Sequence, residues 1–268
     1  MPLYLNQFSE EHDFPRVETA SKILIIASTP RCGSHMLGHA LHQTGRFGFP
    51  LEYAKPMNLC EWSKRFGVSD FEGVLHAIQQ RRTSPNGVFG IKIHYTHLKQ
   101  FGGFARLNHF LPNPYCVLLS RRDVLAQAVS HAIASQTGIW IAGQQAVTDE
   151  PKYDFEQIDR CLRAAILQTA SWRYTLAASG AKYIEMDFDQ VRGDLVGSIE
   201  RIARFMGVEI DALDIPQQHV TQRQGNDRNA EWAARFKAEF NTSRELVNTQ
   251  ASSLKKMLKA EVKRMLRC

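Results

Sequence analysis

The stretch KILIIASTPRCGSHML, residues 22–37, constrains the fold of this chain more than any other. Its apolar start, residues 22–27, is short and rich in isoleucine, as a buried strand is. It runs at once into a tight loop around Gly33 that opens a helix. The first N–H groups of a helix have no partner inside it and sit at its positive dipole end, so a strand-to-helix turn of this kind is a phosphate cradle. A Walker loop would need Gly, four residues, then Gly-Lys and Ser or Thr. Here there is no lysine, and Arg31 precedes the glycine.

Three further apolar runs, at 88–93, 115–119 and 182–186, are each followed by helical periodicity. Alternation of this kind predicts an α/β fold with a central parallel sheet and helices on both faces. Phe155, Ile158, Leu162, Ala165, Ile166 and Thr169 follow three-and-four spacing, as do Leu195, Ile199, Ile202, Ala203 and Met206 ahead of Gly207. Asp123 is placed to cap a helix over 124–136, and Pro85-Asn86-Gly87 is a turn before the second strand. Residues 49–82 show no clean period and read as irregular, as do 138–153. Loops at the carboxyl ends of such strands carry ligands, so both segments are expected to wall an acceptor site.

The chain of 268 residues has a net charge of +6, but 251–268 hold six Lys or Arg against one Glu, so five of those charges lie in the tail. The basic balance therefore gives no reason to expect a nucleic-acid partner. We expect one domain over 1–240 and a basic amphipathic tail over 241–268. Leu254, Met257, Leu258, Val262, Met265 and Leu266 share one face of that tail, a pattern suited to docking on the body or to contact with anionic lipid. The start of the chain lacks the pattern of a secretion signal, and no apolar stretch reaches the ~18 residues of a membrane span. A cytoplasmic location is expected, peripheral at the inner membrane face if the tail binds lipid. Five scattered cysteines without C-x-x-C spacing fit neither a disulfide framework nor a zinc site. His35, His39 and His42 fall at helical spacing without a carboxylate or Cys at ligand spacing, so no metal is expected.

The third strand ends in Ser120-Arg121-Arg122-Asp123, and Ser130 follows two turns along the next helix. A fixed cation and a hydroxyl there can grip a second phosphate, away from the glycine loop. Arg223-Gln224-Gly225-Asn226-Asp227-Arg228 adds two more guanidinium groups around a glycine. Two anion sites fit a doubly phosphorylated ligand.

The blocks Thr29 through His35, Gly45 with Pro50-Leu51-Glu52-Tyr53, Pro85 through Lys92, Arg121 through Ser130 with Gln136-Thr137 and Trp140, and Arg223-Gln224 through Glu231-Trp232 occur in order. Together they resemble bacterial carbohydrate sulfotransferases of the trehalose 2-sulfotransferase type, over about residues 22–240. The resemblance implies a P-loop-like three-layer sandwich and the donor 3′-phosphoadenosine 5′-phosphosulfate, with no metal. It implies that Arg31, Cys32, Gly33, Ser34 and His35 hold the 5′-phosphosulfate. Arg121, Ser130, Arg223, Gln224 and Gly225 would hold the 3′-phosphate. Glu52 matches the family's catalytic glutamate, a general base for a sugar hydroxyl, with His94 or His35 as alternatives. Lys92 and Arg31 would stabilise charge in transfer. The acceptor would be a sugar or glycolipid, and the family allows a homodimer. Cys32 and His35 stand where the family more often has hydroxyl residues, the histidine being shared with the related nodulation-factor sulfotransferases. Phe49 and Leu51 replace polar residues of the trehalose enzymes, which points to a different acceptor pocket. Rival readings are an ATP-dependent small-molecule kinase on a degenerate phosphate loop and a non-catalytic nucleotide-binding protein.

Overall fold

The computed structural model describes residues 6–141, 144–217, 227–241, 244 and 246. The basic tail at 251–268, and with it most of the expected second segment, lies outside them. Four strands, β1 (Lys22–Ser28), β2 (Val88–His94), β3 (Tyr115–Ser120) and β4 (Lys182–Asp187), form one parallel sheet in the order β2-β1-β3-β4. The helices are α1 (Ser34–Gln43), α2 (Pro56–Phe66), α3 (Phe71–Arg82), α4 (Leu107–Phe110), α5 (Val124–Thr137), α6 (Phe155–Ala178), α7 (Phe188–Gly193), α8 (Leu195–Met206) and α9 (Asp227–Glu239).

Successive strand residues point to opposite faces, and the two cores follow from that period. Ile23, Ile25 and Ala27 pack with Trp62 of α2, Leu75 and Ile78 of α3 and Trp172 of α6. Leu24 and Ile26 pack with Leu37 and Leu41 of α1 and Ile199 and Ile202 of α8. The result is the expected three-layer sandwich. A third cluster, with Val129 and Ala132 of α5, Ile158 of α6, and Trp232 and Phe236 of α9, braces the end of the sheet.

Residues 49–82, expected to be irregular, carry α2 and α3 instead. Both helices have proper ends: Pro56 opens α2 and Gly67 closes it, while the Asp70 carboxylate accepts the Gly73 N–H at the start of α3. The period was obscured because polar residues occupy buried positions. Asn58 is buried in α2, and Arg82, at the end of α3, is fully enclosed. Arg82 pairs with Asp13 at 3.0 Å and donates to the Gln7 and Ser9 carbonyls at 3.0 and 2.9 Å, which compensates its burial.

The strand order creates a switch point. The chain leaves β1 toward β2 and leaves β3 toward β4, so a crevice opens beyond the carboxyl ends of β1 and β3. Close packing brings a third segment there. A Cβ on Gly90 would lie 2.3 Å from the Phe47 carbonyl oxygen, so only glycine lets residues 47–51 run against β2. Leu51 bridges Ile91 in parallel and accepts the Lys92 N–H at 2.9 Å, which sets Glu52 beside the end of β2.

Candidate active site

The loop after β1 turns through two residues with left-handed backbone, Arg31 at φ 65° and Gly33 at φ 88°. For arginine that conformation costs energy, and in folded chains such strain gathers at ligand sites. Gly33 is required twice over, because a Cβ there would also come within 2.0 Å of the Phe188 ring. The Gln127 amide of α5 braces the loop, donating to Thr29 Oγ1 at 2.8 Å and to the Pro30 carbonyl at 2.7 Å. Gly33 is the N-cap of α1, and no side chain caps the helix. Its N-terminal amides therefore point to the crevice edge as an anion nest. Cys32 belongs to the core, packing with Leu24 and Leu37, and its N–H closes the turn onto the Thr29 carbonyl at 3.4 Å.

Arg31 reaches across the crevice. Its Nε–H donates to Ser130 Oγ at 3.0 Å and its Nη1 to the Trp140 carbonyl at 2.5 Å. Burial, then repulsion from Arg121, lowers its pKa to about 10, so it stays charged at neutral pH. Arg121 stacks over the Phe188 ring at 5.5 Å, and its Nε is buried without a hydrogen-bond partner among the described residues. Two guanidinium groups close enough to repel, one with an unsatisfied donor, fit a bound anion. Of the residues expected to hold a second phosphate, Arg121 and Ser130 lie at the crevice, while Arg223, Gln224 and Gly225 lie outside the described residues.

Glu52 gathers the third group. Its Oε1 receives Lys92 Nζ at 2.8 Å and His94 Nε2 at 3.0 Å, and its Oε2 lies 4.0 Å from Lys55 Nζ. Burial pushes this carboxyl up, but the charges of Lys92 and His94, the His94 hydrogen bond and Lys55 together hold it well below its ordinary value. Glu52 is therefore a carboxylate at neutral pH. Behind it, Ser28 Oγ lies 3.0 Å from His94 Nδ1, and Trp172 Nε1 donates to the Ser28 carbonyl at 3.1 Å.

Histidines join the two halves. Burial, then the charges of Lys92 and His39, keep His35 well below its ordinary pKa, and the nearby Glu52 and Arg31 also act on it. It stands edge-on to His39 at 4.3 Å with its Nε2 buried and unpartnered among the described residues. His131 of α5, lowered to about 4 by burial, Arg31 and His94, faces the Trp140 ring at 5.7 Å. Lys55 lies 5.7 Å from the same indole, so Trp140 meets Arg31 through its carbonyl and, through Lys55, the surroundings of Glu52. Among the described residues no group of three or more His, Cys, Asp or Glu is disposed to hold a metal ion, and no helix is long and apolar enough to cross a membrane.

The structure brings Arg31, Gly33, Ser34, His35, Glu52, Lys92, Arg121 and Ser130 around one crevice. Phe49 and Leu51, expected to shape the acceptor pocket, are instead buried in the core. Sequence reasoning did not single out Ser28, Lys55, His131 or Phe188. The one available signal was strand register, since a parallel β1–β2 pairing sets Ser28 opposite His94.

A family model described as Stf0 sulphotransferase matches residues 23–239. The chain is 25% identical over 257 residues to a trehalose 2-sulfotransferase of Mycobacterium tuberculosis, covering 80% of this chain and 94% of that protein. It is 22% identical over 252 residues to the trehalose 2-sulfotransferase of Mycolicibacterium smegmatis, covering 80% and 93% respectively. Among solved structures it is similar to a sulfotransferase from Alicyclobacillus acidocaldarius, with 16% identity, a TM-score of 0.49 and coverage of 82% of this chain and 93% of that one.

Proposed function

We propose that this chain, which belongs to the Stf0 sulphotransferase family, moves a sulfuryl group from 3′-phosphoadenosine 5′-phosphosulfate to a hydroxyl of a carbohydrate or glycolipid. Sulfuryl transfer follows from the family; the donor, the acceptor class and the residue roles are our reading. The observation that carries it is the half-buried Glu52 carboxylate, paired with Lys92 and His94 near the glycine loop.

In this reading the N-terminal amides of α1 take the 5′-phosphosulfate, and Arg121 with Ser130 takes the 3′-phosphate. Ser130 accepts the Arg31 Nε–H, so its own proton can go to a phosphate oxygen. The acceptor sugar rests against Trp140, whose half-buried indole offers an apolar face for a pyranose ring. Its hydroxyl attacks sulfur in line. As the new S–O bond forms, the O–H proton passes to Glu52, the bridging S–O bond breaks, and its electron pair leaves on the 5′-phosphate as adenosine 3′,5′-bisphosphate departs.

Lys92 links the two events. While Glu52 is ionised the ammonium is held to it; once Glu52 takes a proton that attraction disappears. The cation is then released toward the charge growing on the leaving oxygen. Both His94 nitrogens are engaged, one by Glu52 and one by Ser28, which favours Glu52 over His94 as the base.

The test is transfer of labelled sulfuryl from the donor to a panel of sugars and glycolipids without magnesium, with wild type and Glu52→Gln. We expect wild type to label a carbohydrate and Glu52→Gln to lose about 10²–10⁴-fold in kcat, the range for a general base, with donor affinity kept. Full activity in Glu52→Gln would remove the base assignment.

A further inference from the structure

We infer that Ser28 and His94 are positioning residues that fix the Glu52 carboxylate so that Oε2, not Oε1, receives the acceptor's proton. This rests on the reading of Glu52 as the base and goes beyond it to the atoms.

The parallel register of β1 and β2 pairs Ser28 with His94 at the crevice end of the sheet. Both are buried, Ser28 completely. An ionised carboxylate only accepts, so His94 Nε2, 3.0 Å from Oε1, carries a proton. Ser28 Oγ, 3.0 Å from Nδ1, holds the other side of the ring, donating to a neutral imidazole or accepting from an imidazolium. In either state Ser28 keeps the ring turned so that Nε2–H meets Glu52, as the partner of the second ring nitrogen does elsewhere. The His94 backbone N–H is also held, donating to His97 Nδ1 at 3.4 Å.

Lys92 takes the same oxygen, so Oε1 carries two donors, while among the described residues the cation paired with Oε2 is Lys55, at 4.0 Å and beyond hydrogen-bond reach. The lone pairs left for an incoming hydroxyl are those of Oε2. The groups around His94 are Glu52, Lys92, Lys55, His97 and His131. Burial, with His94 next among the causes for His97 and Arg31 for His131, keeps these two imidazoles neutral through the working range, at about 3 and about 4. The His94 charge and hydrogen bond are part of what holds Glu52 low, so removing them raises the Glu52 ionisation and moves the acid limb of the rate profile to higher pH.

The experiment measures kcat, acceptor KM, bisphosphate affinity and the pH profile of kcat/KM for His94→Leu, His94→Gln, Ser28→Ala and Glu52→Gln. We expect His94→Leu to lose tenfold or more in kcat, with bisphosphate affinity within twofold of wild type and the acid limb raised. His94→Gln, which keeps an N–H for Oε1, should restore most of the rate and return the limb. Ser28→Ala should show a smaller loss and a shift in the same direction. Unchanged kcat and acid limb in His94→Leu, with Glu52→Gln inactive, would overturn this inference alone. Should His94→Leu fail to fold, an unchanged rate and limb in Ser28→Ala overturn it equally. Normal transfer by Glu52→Gln would overturn the base assignment and this inference together.

Discussion

Lys92 and Glu52 form a buried ion pair whose value depends on both members being present. Removing the ammonium takes away the largest of the interactions that oppose the burial of this carboxylate and leaves His94 and Lys55. Lys92→Met should therefore cost about 3–5 kcal/mol at pH 7, measured by urea unfolding. The sign with pH follows from linkage. In wild type Glu52 has a lowered pKa, so its stabilisation is present above the ordinary carboxylate range and is lost as pH falls through the lowered value. In Lys92→Met that pKa lies higher than in wild type, and protonation at low pH relieves the penalty. The stability gap should narrow as pH drops through the ordinary carboxylate range, and a gap independent of pH would contradict the pairing. Glu52 was singled out by its place after the first helix and by family resemblance, and Lys92 by its place at a strand end, yet not their contact. That contact depends on residues 47–51 lying against β2, which the close approach at Gly90 permits and no local pattern encodes.

At the scale of elements, the loop joining β1 to α1 was the most legible part of the chain. The first strand, expected over 22–27, extends by one residue to Ser28, and α5, expected over 124–136, runs to Thr137. Period and caps suffice where one face is uniformly apolar. They failed for α2 and α3, where Asn58 and Arg82 take buried positions and mask the stripe. The glycine loop gives a sharp prediction. Gly33→Ala adds a Cβ at φ 88° that meets the Phe188 ring at 2.0 Å, so bisphosphate affinity should fall tenfold or more and Tm should drop. Adding Phe188→Ala relieves the collision but not the backbone strain, so recovery should be partial. Donor affinity in Gly33→Ala equal to wild type, read by calorimetry, would show that the turn does not cradle the anion.

The whole molecule is organised by strand order, which opens one crevice and feeds three segments into it: the loop after β1, the start of α5 with Arg121, and residues 51–55 beside β2. Four apolar runs were enough to foresee the parallel sheet, whereas the order of the strands, and hence which loops meet, is a property of packing between distant segments. The glycine loop and Arg121 were legible because helix termini and arginines carry their chemistry locally. The meeting of Trp140, Lys55 and His131 was legible only in part: 49–82 and 138–153 were expected to wall an acceptor, but which of their residues meet, and that His131 joins them, depends on packing between distant segments. The central claim is that this crevice holds a nucleotide with phosphate at both its 3′ and 5′ positions. Calorimetric titration with adenosine 3′,5′-bisphosphate without magnesium, beside ADP with magnesium, tests it most directly. The bisphosphate should bind tightly, at least tenfold more weakly in Arg121→Ala; preference for ADP with magnesium would rule out this nucleotide site and favour a kinase.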